Sequence, residues 1–119
     1  MKAIVWTKYG PPDALQLKEV ETPTPGENEV LIKVHAATAS TADTEFRRLK
    51  LPLFFAFFLR LYLGFLKPTR IKILGTEFAG EIVSVGKEVT QYTPGDQVYG
   101  YTGLGMGTYA EYLCLSEKP

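Results

Sequence analysis

Cysteine, histidine and tryptophan occur once each in this chain of 119 residues, and charge of neither sign prevails. With Cys114 alone, no intramolecular disulfide and no thiolate zinc cluster can form, which suits a reducing cytoplasm. Thirteen Lys and Arg balance thirteen Asp and Glu, so the broad basic field of a nucleic-acid binder is missing. No apolar run is long enough for a transmembrane span. The longest, LPLFFAFFLRLYLGFL at 51–66, has sixteen residues, with Pro52 near its start and Arg60 inside, where a span needs roughly 18 uninterrupted ones. Cations flank it on both sides (Arg47, Arg48 and Lys50; Lys67 and Arg70), so no orientation is specified. No signal peptide is expected, because Met1 runs directly into the strand-like Lys2–Thr7. Internal repeats and low-complexity tracts are also missing.

The remaining composition, 45% apolar and 22% charged, is that of a soluble globular domain with a real core. The first third reads as strands: Ala3–Trp6, then Leu15 to Val20 after the Gly10–Asp13 turn. Glu29–Ala37 alternates, with Val30, Ile32 and Val34 on one face and Lys33 and His35 on the other, as a half-buried strand does. Ser40 and Asp43 form a capping box shortened to aspartate, opening a brief helix through Arg48. A second helix is predicted over Leu53–Lys67, with Ala56, Arg60, Gly64 and Lys67 on one narrow face and Phe, Leu and Tyr elsewhere. Strands return at Glu77–Val85, Gln97–Tyr101 and Thr108–Leu115, separated by turns at Gly86–Glu88 and Pro94–Asp96. The fold class is therefore mainly β with short helices, arranged as a barrel-like domain.

Gly105-Met106-Gly107-Thr108-Tyr109-Ala110 matches the dinucleotide pattern G-x-G-x-x-A in letters only. That pattern binds phosphate where a strand precedes and a helix follows, and here strand-like residues follow. A tight β connection is expected instead. Asp96 is read as a turn residue bonding nearby backbone. Tyr99, Tyr101 and Tyr109 fit a strand core, or the rim of a cleft.

The motifs MKAIVWTKYG, NEVLIKV, STAD, GTEFAGEIVSVG, PGDQVYG and GTYAEYL occur in this order over nearly the whole chain. The ordered set resembles the N-terminal half of the medium-chain dehydrogenases/reductases, and within them the quinone oxidoreductase branch. The segment 51–66 fits least well. The resemblance implies that residues 1–119 form a GroES-like, partly open β-barrel serving as a catalytic domain. It also implies a following Rossmann domain that binds NADPH in the cleft between the two.

The same resemblance sorts the chemistry. Zinc-dependent members carry a cysteine where this chain has Ser40, a relay hydroxyl where it has Ala42, and a histidine where it has Thr76. Hydroxyls are poor substitutes for thiolate and imidazole on Zn²⁺, and the cysteine-rich structural-zinc lobe is missing, so no zinc is expected. A reductase of quinones or conjugated enones needs a hydride donor and hydrogen bonds to a developing oxyanion. Ser40 and Thr41 are the candidates for that role and for contact with the nicotinamide, although Ser40 also suits a simple helix cap. Glu77, in a glycine-framed apolar run, is expected to be buried and to need partners or a proton. It is the other catalytic candidate, as electrostatic support or as a proton carrier.

Phe54, Phe55, Phe57, Phe58, Tyr62 and Phe65 would each gain roughly 1.5–3 kcal/mol from full burial, so the apolar segment is expected to be covered. It folds over the barrel mouth, closes an apolar substrate pocket, or meets a second domain, a homodimer partner or a membrane interface. Phe54, Phe58, Tyr62 and Tyr101 are the substrate-contact candidates. The sequence supports a cytoplasmic NADPH-dependent reductase of an apolar quinone or enone, with the chain inactive when isolated. A stand-alone binding or assembly module, or a zinc alcohol dehydrogenase, are the alternatives.

Overall fold

The computed structural model describes all residues except 50–51, 65–66, 69–71 and 119, together with the side chains at 41, 42, 46 and 104 left undescribed. Phe65 and the ends of the apolar segment, Leu51 and Leu66, therefore lie outside the described residues, as does the side chain of Thr41.

Six strands and two helices are described: β1 (Lys2–Trp6), β2 (Leu15–Glu19), β3 (Glu29–Ala37), α1 (Thr41–Arg48), α2 (Leu53–Leu63), β4 (Glu77–Val85), β5 (Gln97–Tyr101) and β6 (Tyr112–Ser116). Every strand pairing is antiparallel. β1 and β2 form a two-stranded unit, and the other four make a sheet in the order β5-β4-β3-β6. Isolated bridges from Ala3 to Ala110 and from Val5 to Ile73 tie β1 to the segments that lead into β6 and β4, reinforced by Ile4 N–H bonding the Tyr109 carbonyl at 2.8 Å. The sheets do not close on one another, which gives the mainly β, partly open GroES-like barrel.

β3 lies at the centre because its alternation suits a strand paired on both edges. Val30 and Ile32 point inward and Lys33 and His35 outward. Phe78 and Ile82 of β4 and Leu113 of β6 complete that core cluster. A second cluster, Trp6, Leu63, Leu74 and Met106, lies where β1 meets the end of α2, with Tyr9, Leu15 and Tyr109 packed against it.

Three expectations change. The predicted strand Thr108–Leu115 shortens to Tyr112–Ser116, because Gly107 at φ 102° and the bridge at Ala110 bend the chain first. The chain still runs from the glycine cluster into a strand and not into a helix. The helix predicted through Lys67 ends at Leu63, since Gly64 adopts φ 141°, a conformation that side chains other than glycine's rarely adopt. Gly64 is held by its N–H to the Arg60 carbonyl (2.9 Å) and by the Tyr9 hydroxyl donating to its own carbonyl (2.6 Å).

The third change concerns the aromatic side chains. α2 packs through Leu63, which is buried, and Arg60, whose guanidinium lies 4.8 Å from the centre of the Tyr9 ring. Phe54, Phe55, Phe57, Phe58 and Tyr62 face outward. Apart from the buried Leu63 and the half-buried Ala56 and Leu59, the helix turns its apolar side chains to solvent, because a helix apolar nearly all round has no pattern that selects its inner face.

Candidate functional site

The site forms where the end of β3, the start of α1, the start of β4 and the end of β5 approach one another. Ser40 caps α1. Its N–H and hydroxyl both donate to Asp43 Oδ2, at 3.0 and 3.1 Å, and its Oγ accepts the Asp43 N–H at 3.4 Å. The shortened capping box is therefore real, and it occupies the Ser40 hydroxyl proton. A third donor reaches the same oxygen: the Tyr109 hydroxyl, at 2.8 Å. Asp43 is buried, and its Oδ1 has no hydrogen-bond partner among the described residues.

Burial pushes the Tyr109 phenol well above its ordinary value, and the hydrogen bond to Asp43 and that residue's charge add to the shift. The nearby Arg47 charge opposes it. Arg47 is itself tied down, its Nε donating to the Gly10 carbonyl at 3.1 Å. A cavity of about 340 Å³ opens beside this cluster, walled by Ile4, Leu15 and Leu74 on its apolar side and by Ser40, Asp43 and Tyr109 on its polar side.

Thr76 is buried next to Gly75, and its carbonyl accepts the Thr102 N–H at 2.7 Å. Gly75 adopts φ 99°, and a Cβ there would overlap Thr108 Oγ1 and the Tyr109 ring, so only glycine fits. The close approach brings β4's lead-in against the segment that presents Tyr109.

Glu77 departs from expectation: it is exposed, not buried. Phe78 takes the inward position of β4, which turns Glu77 outward by strand alternation. Its Oε1 accepts the Thr38 hydroxyl at 3.3 Å. Tyr101 stands directly across from it as its register partner in β5. Tyr99 and Tyr101 are also exposed, at 88% and 73%, so neither belongs to the core. Both line an open cavity of about 400 Å³ within the barrel, floored by Val30, Ile32, Phe78 and Ile82.

The predicted residues thus separate into groups. Ser40 is brought beside Asp43 and Tyr109, and Glu77 beside Thr38 and Tyr101. Phe54, Phe58 and Tyr62 line neither cavity. The rings of Phe54 and Phe58 meet edge to face at 4.9 Å along the same helix. The sequence reading missed the Asp43–Tyr109 pair. The signal available was a tyrosine in a glycine-rich connection, whose hydroxyl requires a partner once buried.

Elsewhere, Asp96 behaves as a turn residue, its carboxylate accepting the Thr93 N–H at 3.0 Å. Glu117 accepts the Thr90 and Gln91 N–H groups, both at 2.7 Å, and these bonds hold its carboxyl below the usual range. Cys114 is pushed up by burial and then by the Glu29 charge, which disfavours the reactive thiolate.

Among the described residues, no three His, Cys, Asp or Glu side chains gather in a metal-binding group. At the positions where zinc-dependent members place ligands stand the Ser40 hydroxyl, engaged by Asp43, and the buried Thr76. This donor set does not fit zinc. The smaller cavity beside the cluster has apolar walls, and the unpartnered Asp43 Oδ1 is buried beneath its polar side.

The two antiparallel sheets, not closed on one another, have the partly open arrangement of a GroES-like domain. The chain belongs to the alcohol dehydrogenase GroES-like domain family, which it matches over residues 26–119. It is 36% identical over 124 residues to a chloroplastic quinone oxidoreductase of Triphysaria versicolor, covering 99% of this chain and 33% of that protein. Its fold is similar to that of the quinone oxidoreductase from Coxiella burnetii, with TM-score 0.80 and 36% identity over 98% of this chain and 34% of that one. It is also similar to the Escherichia coli quinone oxidoreductase solved in complex with NADPH, with TM-score 0.75 and 27% identity over 98% of this chain and 31% of that one. The chain spans about a third of the length of these relatives. Its place in the quinone oxidoreductase branch of the medium-chain dehydrogenases/reductases is borne out.

Proposed function

We propose that residues 1–119 serve as the catalytic domain of an NADPH-dependent reductase of quinones or conjugated enones that works without zinc. The partner domain, of Rossmann type, would supply most of the cofactor site. The observation that carries this reading is the pair of hydroxyl residues at the two ligand positions: Ser40, engaged by Asp43 where zinc-dependent members carry a thiolate, and the buried Thr76 where they carry an imidazole.

Bound NADPH would supply the hydride. The chain's own residues would bind and orient. Ser40 and Thr41, at the start of α1, are the residues that would hold the nicotinamide end and the acceptor oxygen, the Ser40 hydroxyl proton being given to Asp43 in this structure. Tyr109, held protonated by burial and by Asp43, keeps Asp43 in place and so positions Ser40. Glu77, exposed beside Thr38, acts as electrostatic support at the cleft edge and not as a buried proton carrier. Tyr101, its exposed neighbour, offers the apolar acceptor an aromatic surface. The isolated chain is inactive on this reading, and the protein works in the cytoplasm.

The test is an acceptor panel with the full-length protein. NADPH oxidation with quinones and enones, and little with simple aldehydes, is expected. Turnover confined to alcohols and simple aldehydes would sink the proposal.

A further inference from the structure

The exposed aromatic face of α2 is not used by the chemistry above, and it is unusual in its charge as well as its exposure. Leu53, Phe54, Phe55, Phe58 and Leu61 are each more than half exposed, from 53% to 88%. The rings of Phe54, Phe55, Phe57 and Phe58 form edge-to-face pairs with one another, making a continuous apolar surface. The helix's one cation, Arg60, is drawn to the other side, over Tyr9, and Leu63 anchors that inner side against Trp6. The apolar face is thus presented free of charge by a helix end fixed in the core.

Charge is concentrated around it. Residues 46–76 contain seven of the chain's thirteen Lys and Arg residues and none of its thirteen Asp and Glu residues. A chain of zero net charge therefore carries a strongly cationic segment centred on its most apolar helix. Arg48 before the helix and Lys67 and Lys72 after it are exposed. The ion pairs among the described residues join the Met1 amine to Glu19, Lys8 to Asp13 and Lys87 to Glu27, and none uses these three cations.

We propose that α2 docks on an anionic lipid bilayer, lying in the interface plane with its aromatic face in the acyl boundary and the flanking cations on the headgroups. The helix is about 16 Å long, too short to cross but suited to lying flat. Among the described residues, no helix is long and apolar enough to cross a membrane. An anionic surface is the occupant that complements both properties at once. A second copy of the same face would bring cationic flanks against cationic flanks with no acidic residue in the segment to offset them. The inference does not depend on the reductase reading, although an apolar quinone would partition into the same bilayer.

Co-sedimentation of the full-length protein with vesicles tests it directly. Binding to phosphatidylcholine vesicles containing about one-third phosphatidylserine should exceed binding to pure phosphatidylcholine by about tenfold and weaken as salt is raised. Phe54→Ser with Phe58→Ser should abolish binding, and Lys67→Glu with Lys72→Glu should reduce it to the neutral-vesicle level. Unchanged circular dichroism would show that these surface variants remain folded. Phe54→Trp keeps the face aromatic, and its emission should shift to the blue on adding anionic vesicles. A protein that stays in the supernatant, binds both vesicle types equally, or binds regardless of the Phe54 and Phe58 changes overturns the proposal. So does a dimer that the Phe54/Phe58 pair dissolves in a protein that ignores vesicles, which would assign the face to a second copy.

Discussion

The Tyr109 hydroxyl donates to Asp43 Oδ2 at 2.8 Å across 66 residues of sequence, joining the glycine-rich connection before β6 to the first turn of α1. The same oxygen receives the Ser40 N–H and hydroxyl, so one carboxylate sets both the cap and the place of the residue that carries it.

That bond has a pH signature. Tyr109 holds its proton in the folded chain to a higher pH than in the unfolded chain, which releases it near about 10. Between those two values the folded state binds more protons. The stability contributed is complete below the unfolded value and is lost as pH rises through the folded one. Tyr109→Phe should lower stability at neutral pH by about 1.5–3 kcal/mol, the worth of a hydrogen bond to a charged group. It should also flatten the alkaline decline, which denaturant midpoints measured on both proteins at increasing pH would show. An unchanged slope would dissociate Tyr109 from it.

Ser40→Ala should destabilise the fold by about 0.5–2 kcal/mol through loss of the cap, read from the melting temperature. In the full-length protein it should also raise KM for NADPH, with Ser40→Thr restoring both. Lowered stability at unchanged KM and turnover would leave Ser40 as a cap alone.

Glu117 gives the opposite pH dependence. Its carboxyl titrates below the usual value of about 4.3 because the Thr90 and Gln91 N–H groups bond the ionised form. The stability it contributes is present above that value and is lost as pH falls through the lower, folded one. Glu117→Gln should therefore weaken the acid sensitivity of unfolding, which acid titration followed by circular dichroism would detect.

Gly75→Ala should be among the more damaging single changes. The backbone at φ 99° is strained for alanine, at a cost of order 1–3 kcal/mol, and the new methyl would push on Thr108 and Tyr109. Loss of soluble, folded protein or a large fall in melting temperature is expected, and near-neutral behaviour would mean that the connection can move.

Local patterns carried most of what was legible in the sequence. β3 occupies Glu29–Ala37 as its alternation predicts, and Ser40 and Asp43 form the cap that their spacing predicts, because each depends on residues a few positions apart. The failures came from partners distant in sequence. α2 chose Arg60 and Leu63 as its inner side because Tyr9 and Trp6 wait there, which no periodicity within 53–67 reveals. Glu77 sits among glycines and apolar residues, yet it faces out because Phe78 claims the inward position. The Asp43–Tyr109 bond depends on the bend at Gly107 and the fit at Gly75, and neither is written near Asp43.

The most direct test of the central claim is the metal content of the full-length protein, measured together with quinone-dependent NADPH oxidation before and after exhaustive chelation. A zinc-independent reductase predicts substoichiometric zinc and turnover that survives chelation. One zinc per chain, with activity lost on chelation and restored by zinc, would contradict it.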